Sequence, residues 1–417
     1  MTREQTVAAR LAIEGGKPVR DVPLPTALGG AMIGEEEKRA VLEVLESRSL
    51  FRYYGPHLLR KVERLEEEFA PVAGCAHALA VSSGTAALRT ALIALEIGRG
   101  DEVLMPAYSF LACPAAVMTC GAIPVFVECD ESLLLDSSDL EARITPRTRA
   151  ILVVHNNGAA SAMEPILDVA RRHDLRVIED CAQALGATYL GRPVGSFGDI
   201  ATFSLQYLKL ITSGEGGVLT TNDAAVYQRA VFYHDLGFQR PGREGHPLAG
   251  ENYRMSELTG AVALEQLRKL PIFLERIREC RQVVVGRIGS LDGVGLRNVP
   301  DPDGDQGSSL VLQFENAEKA RFFRRALRVE NIPCDGCFAK LSYGYHAILG
   351  ARLTERDDRQ EFSKHADGVL PYRLGLCPRT EAILKRSVAI TISPAYSDSD
   401  VDDIARAIVK VAAHLPC

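Results

Sequence analysis

The sequence predicts an α/β protein: a largely parallel sheet covered by helices on both faces, followed by a smaller α+β unit. Three observations carry this reading. From residue 77 onward, short apolar runs alternate with amphipathic segments; turns rich in glycine and other small residues close several of those runs; and beyond residue 278 the alternation gives way to a mixed pattern.

Taken in order, Glu35 to Ser49 reads as a helix whose apolar face is Val41, Leu42 and Leu45. The aromatic loop Leu50-Phe-Arg-Tyr-Tyr-Gly-Pro56 follows, suited equally to hydrophobic anchoring or to a substrate wall, and a second amphipathic helix runs from Leu58 to Phe69. Strands are expected at His77–Val81, Val103–Met105, Val125–Val127, Ala150–Val154, Val177–Ile178, Thr202–Phe203 and Gly217–Thr220, with a helix over Ala86–Leu95. Such alternation puts ligands at the strand ends. A long amphipathic segment spans Met255 to Arg278. Past it, Val294–Leu296, Ser309–Phe314, a helix over Ala317–Val329 and Val388–Ile392 make the smaller unit, with Pro300–Asp305 as a loop. The last helix, Ser397 to His414, opens with Ser and Asp at capping positions. The division expected is residues 1–270 for an N-terminal arm and large domain, and 271–417 for the small one.

Composition narrows the function classes. Hydrophobic residues make up 47% of the 417 residues and charged residues 24%, the balance of a globular enzyme rather than a disordered chain. No apolar run reaches the roughly 20 residues of a membrane span, and Met1-Thr-Arg-Glu-Gln5 lacks the apolar core of a signal peptide, so a cytoplasmic protein is expected. A net charge of −6 argues against a nucleic-acid surface, and the arginines at 147, 149, 171 and 172 have acids nearby in sequence and read as solvated surface. The ten cysteines are scattered as small apolar residues of a reducing compartment. Cys334-Asp-Gly-Cys337 lacks the second pair or the histidines of a zinc site and the context of a redox site, so structural thiols and no metal are expected.

The chemistry concentrates in three segments. In Ser204-Leu-Gln-Tyr-Leu-Lys209-Leu-Ile-Thr-Ser-Gly-Glu-Gly-Gly217 one lysine lies between a strand and a glycine-rich turn, while Asp180 ends the preceding apolar run Leu175–Asp180. Both then leave strand ends toward one crevice. Pyridoxal phosphate needs such a pair, a lysine for the covalent link and an acid to keep the pyridine nitrogen protonated. The third segment, Val81-Ser-Ser-Gly-Thr-Ala-Ala-Leu88, joins a strand to a helix, whose free N–H groups and dipole suit a phosphate, with Gly84 admitting close approach. Each segment also has a plainer reading: a solvated loop lysine, an acidic turn former, and a helix capped by Ser83 or Thr85.

Together these segments resemble the sugar aminotransferases of the DegT/DnrJ/EryC1/StrS family, a branch of the fold-type I pyridoxal-phosphate enzymes. Further landmarks are Leu11–Arg20, Pro106-Ala-Tyr-Ser-Phe110, Gly121–Phe126, Ile144–Ala150, Glu179-Asp-Cys-Ala-Gln183 and Asn252-Tyr-Arg-Met-Ser-Glu-Leu258, so the likeness covers nearly the whole chain. It implies a seven-stranded, mostly parallel sheet, Lys209 as the covalent amine and proton shuttle, Asp180 as partner of the pyridine nitrogen, and Gln183 as a donor to the ring's phenolic oxygen. It further implies phosphate contacts from Gly84, Thr85 and Ser204, ring stacking by Phe110, and a homodimer in which Asn252 reaches the neighbouring subunit's phosphate. The plainer reading of Asn252 is a cap for a helix starting near Met255. If the chain turns helical after Asp180, Gln183 shares a face with it.

The implied substrates are glutamate or glutamine as donor and a keto or aldehydo sugar as acceptor, with a cyclitol or another ketone of secondary metabolism as the alternative. Leu50-Phe-Arg-Tyr53, Gln206–Ser213 and Pro300–Gln306 look most like the branch that aminates the 8-position of a 3-deoxy-octulosonate. Gln206 is also similar to the residue in cyclitol and aminobenzoate-forming relatives of antibiotic pathways. His155-Asn-Asn-Gly158 departs from the family's His-x-x-Gly segment, which often carries apolar or aromatic residues at the two central positions. A sugar dehydratase, which carries histidine in place of the lysine, and a non-catalytic regulator are the rival readings on the same fold.

Overall fold

The computed structural model describes residues 6–7, 9–241, 245, 248–345 and 372–416. Met1–Gln5, read above for a signal peptide, and residues 346–371 and 417 of the expected small unit lie outside the described residues. An N-terminal arm leads into helices α1 (Glu35–Ser47) and α2 (Lys61–Val72), which pack on a later long helix. The large sheet follows: β1 (His77–Val81), α3 (Gly84–Ala94), β2 (Glu102–Pro106), α4 (Ala112–Thr119), β3 (Ile123–Val127), β4 (Thr148–Val154), α5 (Met163–Arg172) and β5 (Arg176–Asp180). A short ribbon of β6 (Thr188–Tyr189) and β7 (Arg192–Pro193) precedes β8 (Ile200–Ser204), β9 (Gly217–Thr221) and α6 (Ala224–His234).

The sheet has seven strands in the order β1-β9-β8-β5-β4-β2-β3, and only β9 runs antiparallel to its neighbours. The strands are longer than the apolar runs alone suggest, because polar residues such as Glu102, Thr148 and Asp180 sit within their ends yet are buried. The parallel strands β1, β5 and β8 therefore deliver Val81, Asp180 and Ser204 to one edge of the sheet, where an open α/β sheet binds its ligands. Two large apolar clusters cover the two faces.

Helix α7 (Glu257–Ile288) is 32 residues long and runs through Pro271, so the expected boundary at 270/271 falls inside a continuous helix rather than in a linker. Beyond it, β10 (Val294–Leu296), β11 (Ser309–Phe314), α8 (Ala317–Val329), β12 (Cys334–Gly336), α9 (Pro378–Lys385), β13 (Ser387–Thr391) and α10 (Asp398–Ala412) form a four-stranded antiparallel sheet, ordered β10-β11-β13-β12, with its helices. Asn316 caps α8 by accepting from Glu318 and Lys319 N–H, and Ser397 with Asp400 forms a capping box on α10.

One expected face is wrong. Helix α1 buries Glu37, Ala40, Val44 and Ser47, leaving Leu42 and Leu45 57% and 48% exposed. The cause is polar: the Glu37 carboxylate accepts from Gln266 Nε2 at 2.8 Å and from Lys269 Nζ at 2.8 Å, both on α7, and this turns the acidic edge of α1 inward. The arginine group is at the surface with acid partners, Arg149 facing Asp101, Arg171 facing Asp168 and Arg172 facing Glu141, while Arg147 reaches the fully buried Glu102. Among the described residues no helix is long and apolar enough to cross a membrane.

Candidate active site

Helix α3 starts at Gly84, two residues before the expected Ala86, and Ser83 is its cap. Ser83 Oγ accepts from Ala86 N–H at 3.0 Å, while Gly84 and Thr85 occupy the first two helical positions, whose N–H groups have no partner within a helix. The plain capping role and an anion-binding role thus coexist on one turn. A Cβ placed on Gly84 would sit 2.9 Å from Ser204 Cβ, and one on Gly217 would sit 2.3 Å from Ser83 O. The start of α3, the end of β8 and the start of β9 therefore meet at a cradle that only small residues leave open.

Lys209 follows β8 in a turn closed by three bonds: its own N–H to Gln206 O at 2.8 Å, Leu208 N–H to Gln206 Oε1 at 2.8 Å, and Tyr207 N–H to Gly214 O at 3.0 Å. The N-terminal arm supports the turn from outside, since Gly29 N–H donates to Lys209 O at 3.1 Å. Lys209 is half-buried, and its pKa is lowered from the ordinary lysine value. Burial is the main cause and Lys340 adds to it, opposed by Asp180 and Cys113. Lys209 and Asp180 thus share one electrostatic environment, as their strand ends require.

Asp180 is buried at the end of β5. Its Oδ1 accepts from Ala182 N–H at 2.9 Å and its Oδ2 from the Cys113 thiol at 3.0 Å. The segment after it is a series of turns, not the helix considered above, and it opens on the Asp180 side-chain bond to Ala182 N–H. Gln183 still faces the neighbouring turn, donating from Nε2 to Asn156 Oδ1 at 3.2 Å and accepting at Oε1 from Asn157 N–H at 3.3 Å. Phe110 is 57% exposed, an unusual state for a phenylalanine and a suitable one for a stacking surface. Its loop is held by the small domain, through Ser109 N–H to Lys340 O at 3.2 Å, Ser342 N–H to Ala107 O at 2.7 Å, and a Tyr108–Leu341 bridge.

Asn252 is exposed and pairs through its backbone with Asp235, beside Tyr253 O, which accepts from Ser82 N–H at 2.8 Å. It does not cap the following helix: α7 begins at Glu257 and is capped by Ser256, whose Oγ accepts from Thr259 N–H at 3.2 Å. The aromatic loop has a structural share, since Arg52 Nη2 donates to both Glu66 carboxylate oxygens at 2.8 Å and Tyr53 OH meets His234 Nε2 at 2.9 Å, whereas Tyr54 is exposed. Cys334 and Cys337 lie in different apolar clusters, and burial pushes both thiols up, Cys334 to about 12.

The sequence reading missed three participants. Cys113 and Asp180 are 67 residues apart and nothing local links them. Lys340 lies beyond the large domain in an unremarked turn. The third is a buried knot beneath the site, where His155 Nδ1 accepts from Ser161 N–H at 3.0 Å, so that its Nε2–H donates to Glu179 Oε2 at 3.0 Å. Glu179 also accepts from Gly195, Phe197 and Gly198 N–H at 2.7–2.8 Å. With Cys181 these residues form a compact His/Cys/carboxylate group, and their hydrogen bonds tie the end of β5 to the loop entering β8.

A family model described as the DegT/DnrJ/EryC1/StrS aminotransferase family matches residues 31–409. The chain is 44% identical over 235 residues to a GDP-perosamine synthase of Caulobacter vibrioides, a match spanning 55% of this chain but only 63% of that relative. It is 33% identical to an L-glutamine:2-deoxy-scyllo-inosose aminotransferase of Streptoalloteichus tenebrarius, over 97% of this chain and 98% of the relative. Among solved structures it is similar to DesI in the presence of its TDP-sugar product, with a TM-score of 0.80 and 29% identity over 97% of this chain and 96% of that one. A structure of 3-amino-5-hydroxybenzoic acid synthase gives a TM-score of 0.78 at 28% identity, over 91% of this chain and 96% of that one. The chain belongs to the DegT/DnrJ/EryC1/StrS aminotransferase family.

Proposed function

We propose that this protein is a pyridoxal-phosphate-dependent aminotransferase that moves an amino group from glutamate or glutamine to a keto or aldehydo sugar. The observation that carries the proposal is the convergence of Lys209, Asp180 and the open α3 cradle at one edge of the sheet. When bound, the cofactor supplies an electron sink for the carbon that loses its proton.

The chain's own residues supply the rest. Gly84, Thr85 and Ser204 would hold the phosphate at the helix start, and Phe110 would cover the ring. The Asp180 carboxylate would hold a proton at the pyridine nitrogen, its orientation set by Ala182 N–H and the Cys113 thiol. Lys209 would supply the amine for the covalent link and would move a proton through Nζ. The lowered pKa favours the neutral amine that both tasks require. Gln183 would donate to the phenolic oxygen.

A carbohydrate acceptor is the reading suggested by relatives named for perosamine and TDP-sugar chemistry. The end-to-end likeness to a scyllo-inosose aminotransferase favours a cyclitol ketone as the second reading. The octulosonate likeness adds a sugar acid to the acceptors worth testing. We also propose a cytoplasmic homodimer with shared sites; the exposed Leu42 and Leu45 on α1 and the exposed Tyr207 and Leu208 on the lysine turn support a subunit interface. The test is isotope transfer: glutamate or glutamine with a labelled amino nitrogen is incubated with the cofactor-loaded protein and panels of keto sugars, sugar aldehydes and inosose ketones. Label in a polyhydroxylated product supports the proposal. Preference for a simple aliphatic ketone contradicts the carbohydrate reading, and no transfer to any acceptor contradicts the activity.

A further inference from the structure

Beneath the ring site, two side-chain amides are locked by backbone groups whose donor and acceptor roles are unambiguous. Asn157 N–H can only donate, so the Gln183 atom facing it at 3.3 Å is Oε1. Tyr108 O can only accept, so the Asn156 atom facing it at 2.7 Å is Nδ2. The remaining ends of the two amides then meet correctly, Gln183 Nε2 donating to Asn156 Oδ1 at 3.2 Å. One Nε2 hydrogen of Gln183 is used in this contact, and the other has no partner among the described residues.

The turn carrying Asn156 is itself held from several sides. Asn157 adopts the left-handed region at φ 52°, and its Nδ2 donates to Tyr108 OH at 2.9 Å. The buried Arg297 of the small domain donates to Asn156 O at 3.1 Å and to Asn157 O at 3.0 Å. Gly158 N–H donates to Gln183 O at 3.0 Å, joining the two turns through their backbones as well. Of the two asparagines, Asn156 meets Gln183 through its side chain and Asn157 through its backbone N–H.

We propose that Asn156 is a positioning residue: with Asn157 N–H on the carbonyl end, its Oδ1 holds the amino end of Gln183 in the orientation that presents an N–H, rather than a carbonyl, to the phenolic oxygen of the cofactor. This rests on the role proposed above for Gln183. A donor at a phenolic oxygen withdraws negative charge from it, which lowers the pH at which the neighbouring protonated nitrogen titrates. Loss of that donor raises the midpoint.

The test is a pH titration of the visible absorption band of the cofactor-loaded protein, in wild type, Asn156→Leu, Asn156→Ala, Gln183→Leu and the Asn156→Leu/Gln183→Leu double variant. Gln183→Leu is expected to raise the midpoint by roughly one pH unit, the scale of one hydrogen bond to a charged group. Each Asn156 variant should raise it in the same direction by at least half that amount. The double variant should equal Gln183→Leu alone, because Asn156 acts only through Gln183. Leucine fits the family pattern and alanine is smaller, so one variant suffices if the other fails to fold. Asn156 variants that titrate like wild type while Gln183→Leu is shifted overturn the proposal and leave the Gln183 role standing. A double variant shifted by the sum of the single effects overturns it as well. An unshifted Gln183→Leu removes the Gln183 role and the proposal with it.

Discussion

The Cys113 thiol donates to Asp180 Oδ2 at 3.0 Å, so the carboxylate proposed to hold the pyridine proton is fixed from helix α4 as well as by its own turn. Burial holds the thiol well above its ordinary pKa, with Asp180 adding to the effect, so it remains a donor. Cys113→Ala should therefore lower turnover several-fold and cost about 1 kcal/mol of stability, whereas Cys113→Ser keeps a donor and should lose less. Asp180→Asn should keep the bound cofactor and lose most turnover. Kinetics and urea denaturation of the three variants check this, and near-wild-type turnover in Asp180→Asn would contradict the carboxylate's role.

Lys340 should tune Lys209. The Lys209 pKa is lowered first by burial and then by the like charge of Lys340, so Lys340→Gln removes a repulsion and lets the pKa move up toward the ordinary value. At neutral pH a smaller fraction of Lys209 would then be neutral. The rate of labelling of Lys209 by an amine-reactive reagent in cofactor-free protein, followed against pH by peptide mass spectrometry, should show a midpoint shifted upward relative to wild type. An unchanged or lower midpoint rejects the coupling.

The arm that supports the lysine turn is anchored by a buried ion pair. Glu330 accepts from Ala12 N–H and Val19 N–H, each at 2.9 Å, and pairs with Lys410 Nζ at 2.8 Å. Lys410→Met leaves the carboxylate uncompensated and should cost about 3–5 kcal/mol. It should also expose the arm to proteolysis near residue 19. Denaturation curves and limited proteolysis read both effects.

Sharing of sites between subunits has its own test. Lys209→Ala and Asn252→Ala chains, dissociated, mixed and reassembled, should recover activity above either parent, since a mixed dimer contains one site free of both changes. No recovery, with exchange proven and each parent impaired, would place Asn252 within its own chain's site or outside any site.

Much of this architecture was legible because buried parallel strands read as apolar runs, and because lysine, aspartate and Ser-Gly-Thr each stand where a run ends. What the sequence hid depends on contacts across the fold. Leu42 and Leu45 look like a core face, but Gln266 and Lys269, more than two hundred residues later, draw Glu37 inward instead. Helix α7 continues past Arg278 to Ile288 and through Pro271, so the apparent change of unit is not a break in the chain's course. Asn156 and Asn157 were visible as a departure, yet their meaning depends on Tyr108, Gln183 and the distant Arg297. Asn252 looked like a helix cap only because the start of α7 was placed too early.

The central claim is that Lys209 is the amine that binds the cofactor covalently. Borohydride reduction of the protein loaded with pyridoxal phosphate, followed by peptide mass spectrometry, should place the phosphopyridoxyl mass on Lys209. In Lys209→Ala that label should be lost while non-covalent cofactor binding persists. Labelling of another lysine such as Lys340, or an unlabelled Lys209 in protein shown to contain the cofactor, would contradict it.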